Sequence, residues 1–240
     1  MERGGGGVNY KIDELKHFLK EHKIDIMTIN ETKLTKNTQI TFRNYTIHRQ
    51  DRNQYGGGVA IIIKNNIPHI RLPQLNITIE HVSIKFWNEV VFTGCYAPPS
   101  IKMTDRQLDS IFRQAPRVLA LGDFNAKHFA WNNPYNNPRG TALYDYATQN
   151  NIQILCTPTP TYYSNHAQAR VPSFLDIGLN KNIQNLLQPT TISELPSDHN
   201  PITLIWNTET RPEPGQTTWI LKNANWNRFR NELNNKIRNT

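Results

Sequence analysis

Three short polar clusters, each directly following an apolar run, carry the residue types that phosphoryl chemistry needs. They are Asn30-Glu31-Thr32-Lys33, Gly122-Asp123-Phe124-Asn125 and Ser197-Asp198-His199-Asn200. In α/β proteins the side chains at the carboxyl ends of strands line a shared crevice. Glu31 offers a hard oxygen ligand of the kind magnesium takes, since that ion needs few carboxylates and keeps several waters. Taken alone, a loop glutamate is equally an ordinary solvated side chain. Asp123 and Asn125 alternate about Phe124, so an extended chain turns both polar groups one way and the ring the other. A carboxylate and an amide so placed can hold and orient a water beside a phosphate, although the same residues also form turns.

His199 has the most specific setting. A protonated imidazole donates a hydrogen bond to an oxygen that gains negative charge, and a nearby carboxylate keeps the ring charged. Asp176, inside the apolar run Leu175–Leu179, is the candidate, because an acidic residue in such a run demands a partner. The alternative is a loop histidine and a separately satisfied core aspartate. Tyr96 ends the run Val90–Cys95, where its phenol either reaches a phosphate oxygen or caps the core edge. No histidine or cysteine spacing suggests zinc.

These residues need strands to position them. Apolar runs predict strands at Ile24–Ile29, Val59–Ile63, Val90–Cys95, Val118–Leu121, Ile152–Leu155, Leu175–Leu179 and Pro201–Trp206. Ile77, Ile79, Val82, Ile84 and Phe86 alternate with one slip at Glu80-His81, which predicts a strand carrying a β-bulge. Trp87-Asn88-Glu89 reads as the turn of a hairpin. Ile12, Leu15, Phe18 and Leu19 recur at helical spacing, and Thr104-Asp105-Arg106-Gln107 is a capping box before a second helix. Thr141–Gln149 reads as a third helix. Hairpins beside single-helix crossovers predict a mixed-sheet α/β domain. Pro212, Pro214 and Gly215 mark 207–218 as a linker. Trp226, Phe229, Leu233 and Ile237 then repeat at helical spacing.

The 240 residues carry 27 Lys and Arg against 19 Asp and Glu, a net charge of +8. That balance favours a polyanionic partner, nucleic acid ahead of an acidic membrane face. Five Trp argue against disorder. Cys95 and Cys156 sit in separate apolar runs and read as small core residues rather than a disulfide framework. Met1–Gly7 is charged and glycine-rich, unlike a signal peptide, and no apolar run approaches membrane-spanning length.

Taken in order, Asn30-Glu31-Thr32, Gly56-Gly57-Gly58-Val59-Ala60, Tyr96-Ala97-Pro98, Gly122-Asp123-Phe124-Asn125, Ser173-Phe174-Leu175-Asp176 and Ser197-Asp198-His199 form a set. It resembles the endonuclease/exonuclease/phosphatase superfamily, and within it the apurinic-type endonuclease domain of jockey-like non-LTR retrotransposons. The resemblance covers about Val8 to Trp206, so a domain at 8–206, and 219–240 is similar to the connector towards a reverse transcriptase. It implies a four-layer α/β sandwich of two packed mixed β-sheets flanked by helices. It implies a nuclear enzyme that nicks double-stranded DNA and leaves a 3′-hydroxyl, using Mg²⁺ or Mn²⁺, with no membrane partner and a reverse transcriptase downstream. Carried over by position, Glu31 matches the metal-binding glutamate and Tyr96 the tyrosine at the scissile phosphate. Asp123 matches the water-activating aspartate and Asn125 the orienting asparagine. Asp176 matches the carboxylate paired to the catalytic histidine, His199. Asp198 matches a metal- or phosphate-binding aspartate, and Thr161 and Ser173 are further phosphate contacts. The family also begins with a strand ending in a metal-binding asparagine just before a glycine. Met1–Gly7 lacks both, so an N-terminally truncated copy or a misassigned start is expected, and a non-catalytic DNA-binding remnant or a phosphatase of the same superfamily are the alternatives to a nicking enzyme.

Overall fold

A six-stranded mixed sheet and a three-stranded antiparallel sheet pack face to face, with helices on both outer sides. This computed structural model describes residues 11–52, 56–164, 171–208, 225–228 and 230–231. Two compact units divide the chain, Met1–Asn207 and Thr208–Thr240. The expected changes at Met1–Gly7, most of the 207–218 linker, and Phe229, Leu233 and Ile237 of the tail helix all lie outside the described residues. In the second unit, 226–228 and 230–231 are helical.

The smaller sheet has β1 (Ile26–Asn30), β2 (Tyr45–Gln50) and β3 (Val59–Lys64) in the order β1-β3-β2. Strand β3 is apolar from Val59 to Ile63 because both its faces are covered there. Val59, Ile61 and Ile63 face the other sheet, while Ile62 packs outward under helix α1 (Ile12–Glu21) with Leu15 and Leu19. The larger sheet contains β4 (His69–Arg71), β5 (Glu80–Phe86), β6 (Val90–Tyr96), β7 (Arg117–Asp123), β8 (Gln153–Leu155) and β9 (Asp176–Lys181). Their order is β4-β5-β6-β7-β9-β8. Only β6 and β7 run parallel, joined through helix α2 (Asp105–Phe112), and the remaining pairs are antiparallel.

Helix α2 begins at the capping box, where the Gln107 side chain accepts the Thr104 backbone N–H at 3.0 Å. With α3 (Pro138–Gln149) it covers the outer face of the large sheet through Leu108, Ile111, Phe112, Leu143 and Tyr146. Each fully buried aliphatic or aromatic side chain here is worth about 1.5–3 kcal/mol relative to exposure. The order of layers is therefore helix, sheet, sheet, helices. Two short strands, β10 (Thr190–Thr191) and β11 (Ile202–Thr203), pair with each other. Cys95 and Cys156 are free thiols. Among the described residues no helix is long and apolar enough to cross a membrane.

Two expectations need correction. The strand expected from Ile77 begins only at Glu80, and its pairing with β6 is regular, with no bulge. Residues 76–79 form a bend instead, and Ile79 is apolar because it is buried in the outer core, not because it lies on a strand. The strand expected over Pro201–Trp206 shrinks to Ile202–Thr203, beyond which Trp206 makes a single bridge to Leu186.

Candidate active site

Strand register places four polar side chains in one row across the large sheet. Glu80 on β5 lies opposite Tyr96 on β6, Tyr96 opposite Asp123 on β7, and Asp123 opposite Asp176 on β9. Residues directly opposite one another project on the same face. Because β9 runs against β7, the start of β9 meets the end of β7, which is how two aspartates 53 positions apart become neighbours.

Gly122 makes the end of β7 possible. Its φ is +152°, and a Cβ there would lie 1.8 Å from the Cys95 carbonyl oxygen. Only glycine allows β6 so close at the residue before Asp123. Asp123 then accepts the backbone N–H of Asn125 at 2.7 Å and its side-chain amide at 3.0 Å. Phe124 between them is fully buried, so the polar–apolar alternation points as its sequence pattern predicts. Asn125 adopts a left-handed φ of 48°, which suits asparagine.

From the small sheet, Asn30 and Glu31 reach the same edge. With its amide oriented to match donors and acceptors, Asn30 accepts the Asp123 backbone N–H at 2.8 Å and donates to the Cys95 carbonyl at 3.1 Å. The exposed Glu31 accepts a hydrogen bond from the Tyr96 hydroxyl. Behind Glu31, the Thr32 and Lys33 N–H groups donate to the carbonyls of Gly58 (3.2 Å) and Gly57 (2.9 Å). Buried Glu80 anchors that glycine loop by accepting the Gly58 N–H at 2.5 Å, and Arg52 stands 3.2 Å from its carboxylate.

His199 completes the cluster. Its Nδ1 donates to Asp176 at 2.7 Å, leaving Nε2 as the other ring donor when the ring is charged. The loop is pinned by the Tyr163 N–H on the Asp198 carbonyl (2.8 Å) and the Asn200 N–H on the Thr161 carbonyl (2.7 Å). The Tyr162 ring packs against the imidazole with centroids 4.8 Å apart. Asp198 itself is exposed beside the ring. Burial alone lowers the His199 pKa, but the hydrogen bond and charge of Asp176, with the charges of Asp123 and Asp198, outweigh it and raise it to about 9. Asp123 is pushed up from the usual carboxylate range by burial first and then by the Asp176 charge, against the pull of His199. Tyr96 is raised well above an ordinary phenol by burial and then by Glu31, so it acts as a neutral donor.

The structure thus brings Glu31, Tyr96, Asp123, Asn125, Asp176 and His199 together, with Asp198 at the rim. Thr161 and Ser173 stand behind that edge. The buried Thr161 hydroxyl accepts the N–H groups of Leu175 (3.1 Å) and Asp176 (3.2 Å), and buried Ser173 pairs with Tyr162 in a β-bridge. Among the described residues no group of three His, Cys, Asp or Glu stands in metal-ligating geometry. The roles of Asn30, Glu80, Tyr162 and Arg139 escape sequence reasoning. Arg139 on α3 donates to the carbonyls of Ala97 (2.7 Å), Pro98 (2.8 Å), Pro99 (3.0 Å), Phe124 (3.1 Å) and Ile101, clamping the loops after Tyr96 and Asp123. No sequence signal marks it, since it stands before the helix expected at Thr141–Gln149 and only the observed start at Pro138 brings it into α3.

A carboxylate raised by its surroundings, an oriented amide and a charged imidazole along one sheet edge define a hydrolytic α/β domain built for phosphate esters. Comparison with known proteins agrees. Residues 90–203 match the family described as endonuclease-reverse transcriptase. The chain is 30% identical over 95% of its length to the RNA-directed DNA polymerase from mobile element jockey of Drosophila melanogaster. It is 27% identical over 96% of its length to the probable RNA-directed DNA polymerase from transposon BS of the same fly. It spans 26% of the length of each of these relatives. In fold it is similar to the endonuclease domain of TRAS1, a telomere-specific non-LTR retrotransposon. The TM-score is 0.70 at 21% identity, over 83% of this chain and 93% of that one. An AP endonuclease from Archaeoglobus fulgidus follows at a TM-score of 0.61 and 14% identity, over 84% and 96%. The chain is thus similar to the endonuclease/exonuclease/phosphatase superfamily, and within it to the endonuclease-like domains of jockey-type non-LTR retrotransposons.

Proposed function

We propose that this domain is a Mg²⁺-dependent endonuclease that nicks double-stranded DNA and leaves a 3′-hydroxyl for reverse transcription. The observation that carries the reading is the 2.7 Å Asp176–His199 pair, set one strand away from the Asp123–Asn125 pair. Asp123, raised towards neutrality, suits a general base, and His199, held charged, suits a donor to the phosphate.

The edge fits a hard divalent cation. Its nearby donors are carboxylate, amide and phenol oxygens, and the mutual repulsion of Glu31, Asp123 and Asp176 is the field such an ion relieves. Glu31 would hold it, with Asp198 as a second carboxylate. When bound, Mg²⁺ or Mn²⁺ withdraws charge from the phosphoryl oxygens. Asn125 orients a water and Asp123 takes its proton as the water oxygen bonds to phosphorus. The bond from phosphorus to the 3′-oxygen breaks and that oxygen takes a proton from solvent water, giving a 5′-phosphate and a 3′-hydroxyl. His199 donates to a phosphoryl oxygen through the step, and Tyr96, tied to Glu31, steadies the same group.

The relatives' names supply the wider setting. A reverse transcriptase is expected downstream in the full-length element, and a nuclear site of action follows from a genomic DNA target. Supercoiled plasmid treated with the protein and Mg²⁺, then with a DNA polymerase and labelled nucleotide, tests the reading. Label entering at the nick is the expected result. Nicks that need phosphatase treatment before extension, or an intact plasmid alongside hydrolysis of an inositol phosphate, would overturn it.

A further inference from the structure

The segment after Asn125 is built to hold aromatic side chains outward beside the candidate site. Three props fix it, two of them buried. Trp131 is fully buried and its Nε1 donates to the Ala126 carbonyl at 3.1 Å. Buried Asn133 binds both backbone groups of Phe174, accepting its N–H at 3.1 Å and donating to its carbonyl at 3.0 Å. The Asn137 side chain accepts from Lys127 (3.0 Å) and Gly140 (2.7 Å) and donates to the Asn125 carbonyl at 3.1 Å, tying the segment to a residue of the site.

What this frame presents is aromatic and basic. Phe129 is 63% exposed and Tyr135 50%, fractions no core or structural role requires. His128 stacks on Tyr144 of α3 with centroids 4.3 Å apart and planes 14° apart. Lys127 lies over the Tyr135 ring, 4.9 Å from its centroid, and donates to its hydroxyl at 3.0 Å. Flat π faces with an ammonium among them, on a chain of net charge +8, match a polyanion that offers flat π faces of its own. Hydrophobic patches for protein partners are more uniformly apolar at their centre.

We infer that Lys127–Tyr135 with Tyr144 forms a lip that stacks nucleobases flanking the scissile phosphodiester, with Phe129 and Tyr135 as the base-contacting residues. The inference rests on the nuclease reading for its substrate. A rigid lip contacting bases, not phosphates, selects where the strand is cut, because base steps that unstack easily cost less to seat there.

The test separates base contact from cleavage. A duplex carrying 2-aminopurine is titrated with the full 240-residue chain under chelation, so that no metal-dependent cutting intervenes. Wild type should alter the 2-aminopurine fluorescence on binding. Phe129→Ala and Tyr135→Ala should lose that change and about five- to a hundred-fold in affinity, and Phe129→Trp should restore it. In Mg²⁺, Phe129→Ala should spread the nicks that still form over more positions than wild type cuts. Equal signals and affinities in wild type and Phe129→Ala would overturn the lip, as would a loss that Phe129→Trp fails to rescue. So would altered self-association of Phe129→Ala with unchanged DNA binding, which would mark a protein interface. A fluorescence response lost in Phe129→Ala, beside a plasmid that stays intact, would support the lip and reject the nuclease reading.

Discussion

Replacing Asp176 by asparagine removes the charge that keeps His199 protonated while preserving the size of the side chain. The native imidazole is raised from 6.5 to about 9. At about 1.4 kcal/mol per pH unit that rise is worth about 3 kcal/mol. The His199 side chain is 30% exposed and Asp176 17%, so about 2 kcal/mol survives solvent screening. Because the folded-state value is raised, this stabilisation is complete below pH 6.5 and disappears as the pH climbs through about 9. In Asp176→Asn, burial is opposed only by Asp123 and Asp198, and the value falls back towards 6.5. At about pH 8 the charged fraction then drops from about nine-tenths to about three-hundredths, a loss of about thirty-fold in nicking from protonation alone. Asp123 also loses its strongest neighbouring charge and becomes more acidic, so the acid limb moves down as well. The whole pH–rate bell should slide to lower pH. Rates of plasmid relaxation from about pH 5.5 to about 10, together with NMR titration of the His199 ring, check this. A native ring that titrates at or below 6.5, or a variant whose alkaline limb stays put, would refute the reasoning.

Three further outcomes follow from the same geometry. Arg139→Ala should lower the melting temperature by releasing the backbone carbonyls of Ala97, Pro98, Pro99, Ile101 and Phe124, each charged hydrogen bond being worth about 1.5–3 kcal/mol. Arg139→Lys should rescue little, since an ammonium cannot reproduce the fork; a fully stable lysine variant in thermal unfolding would contradict this. Gly122→Ala should fail to fold or lose more than about 4 kcal/mol, because the added Cβ meets backbone, not a movable side chain. Near-native denaturant unfolding of that variant would show that β6 and β7 can part without cost. Glu80→Ala should cost about 1–3 kcal/mol for the stranded Gly58 N–H, whereas Glu80→Gln keeps an acceptor there. Equal urea midpoints for the two variants would remove Glu80 from the support of the glycine loop.

What the sequence disclosed depended on how local each feature was. The β3 run, the Thr104–Gln107 capping box and the alternation about Phe124 are written in adjacent residues, and each takes the form its pattern predicts. Ile77 and Ile79 misled because apolarity reports burial, and a bend that alternates exposed and inward residues looks like a strand when read by pattern alone. Asn30 and Glu80 were invisible for another reason. Their roles arise only when β1 meets β7 and when β5 meets the glycine loop, contacts between residues 93 and 22 positions apart. Arg139 lies ahead of the helix that pattern predicts, and only the return of the loop after Tyr96 supplies its carbonyl partners. Asp176 and His199 lay between these cases. An acid inside an apolar run announces the need for a partner, but which group answers is decided by the antiparallel register of β9 and by the Tyr162 bridge to His199.

The most direct measurement compares the rate at which supercoiled plasmid becomes open circle for the native chain, His199→Ala and Asp123→Asn, in Mg²⁺ at neutral pH. Loss of at least about a hundred-fold in both variants, with melting temperatures showing that they remain folded, is the predicted result for a base and a donor acting on one phosphodiester. Relaxation by His199→Ala at the native rate would contradict it.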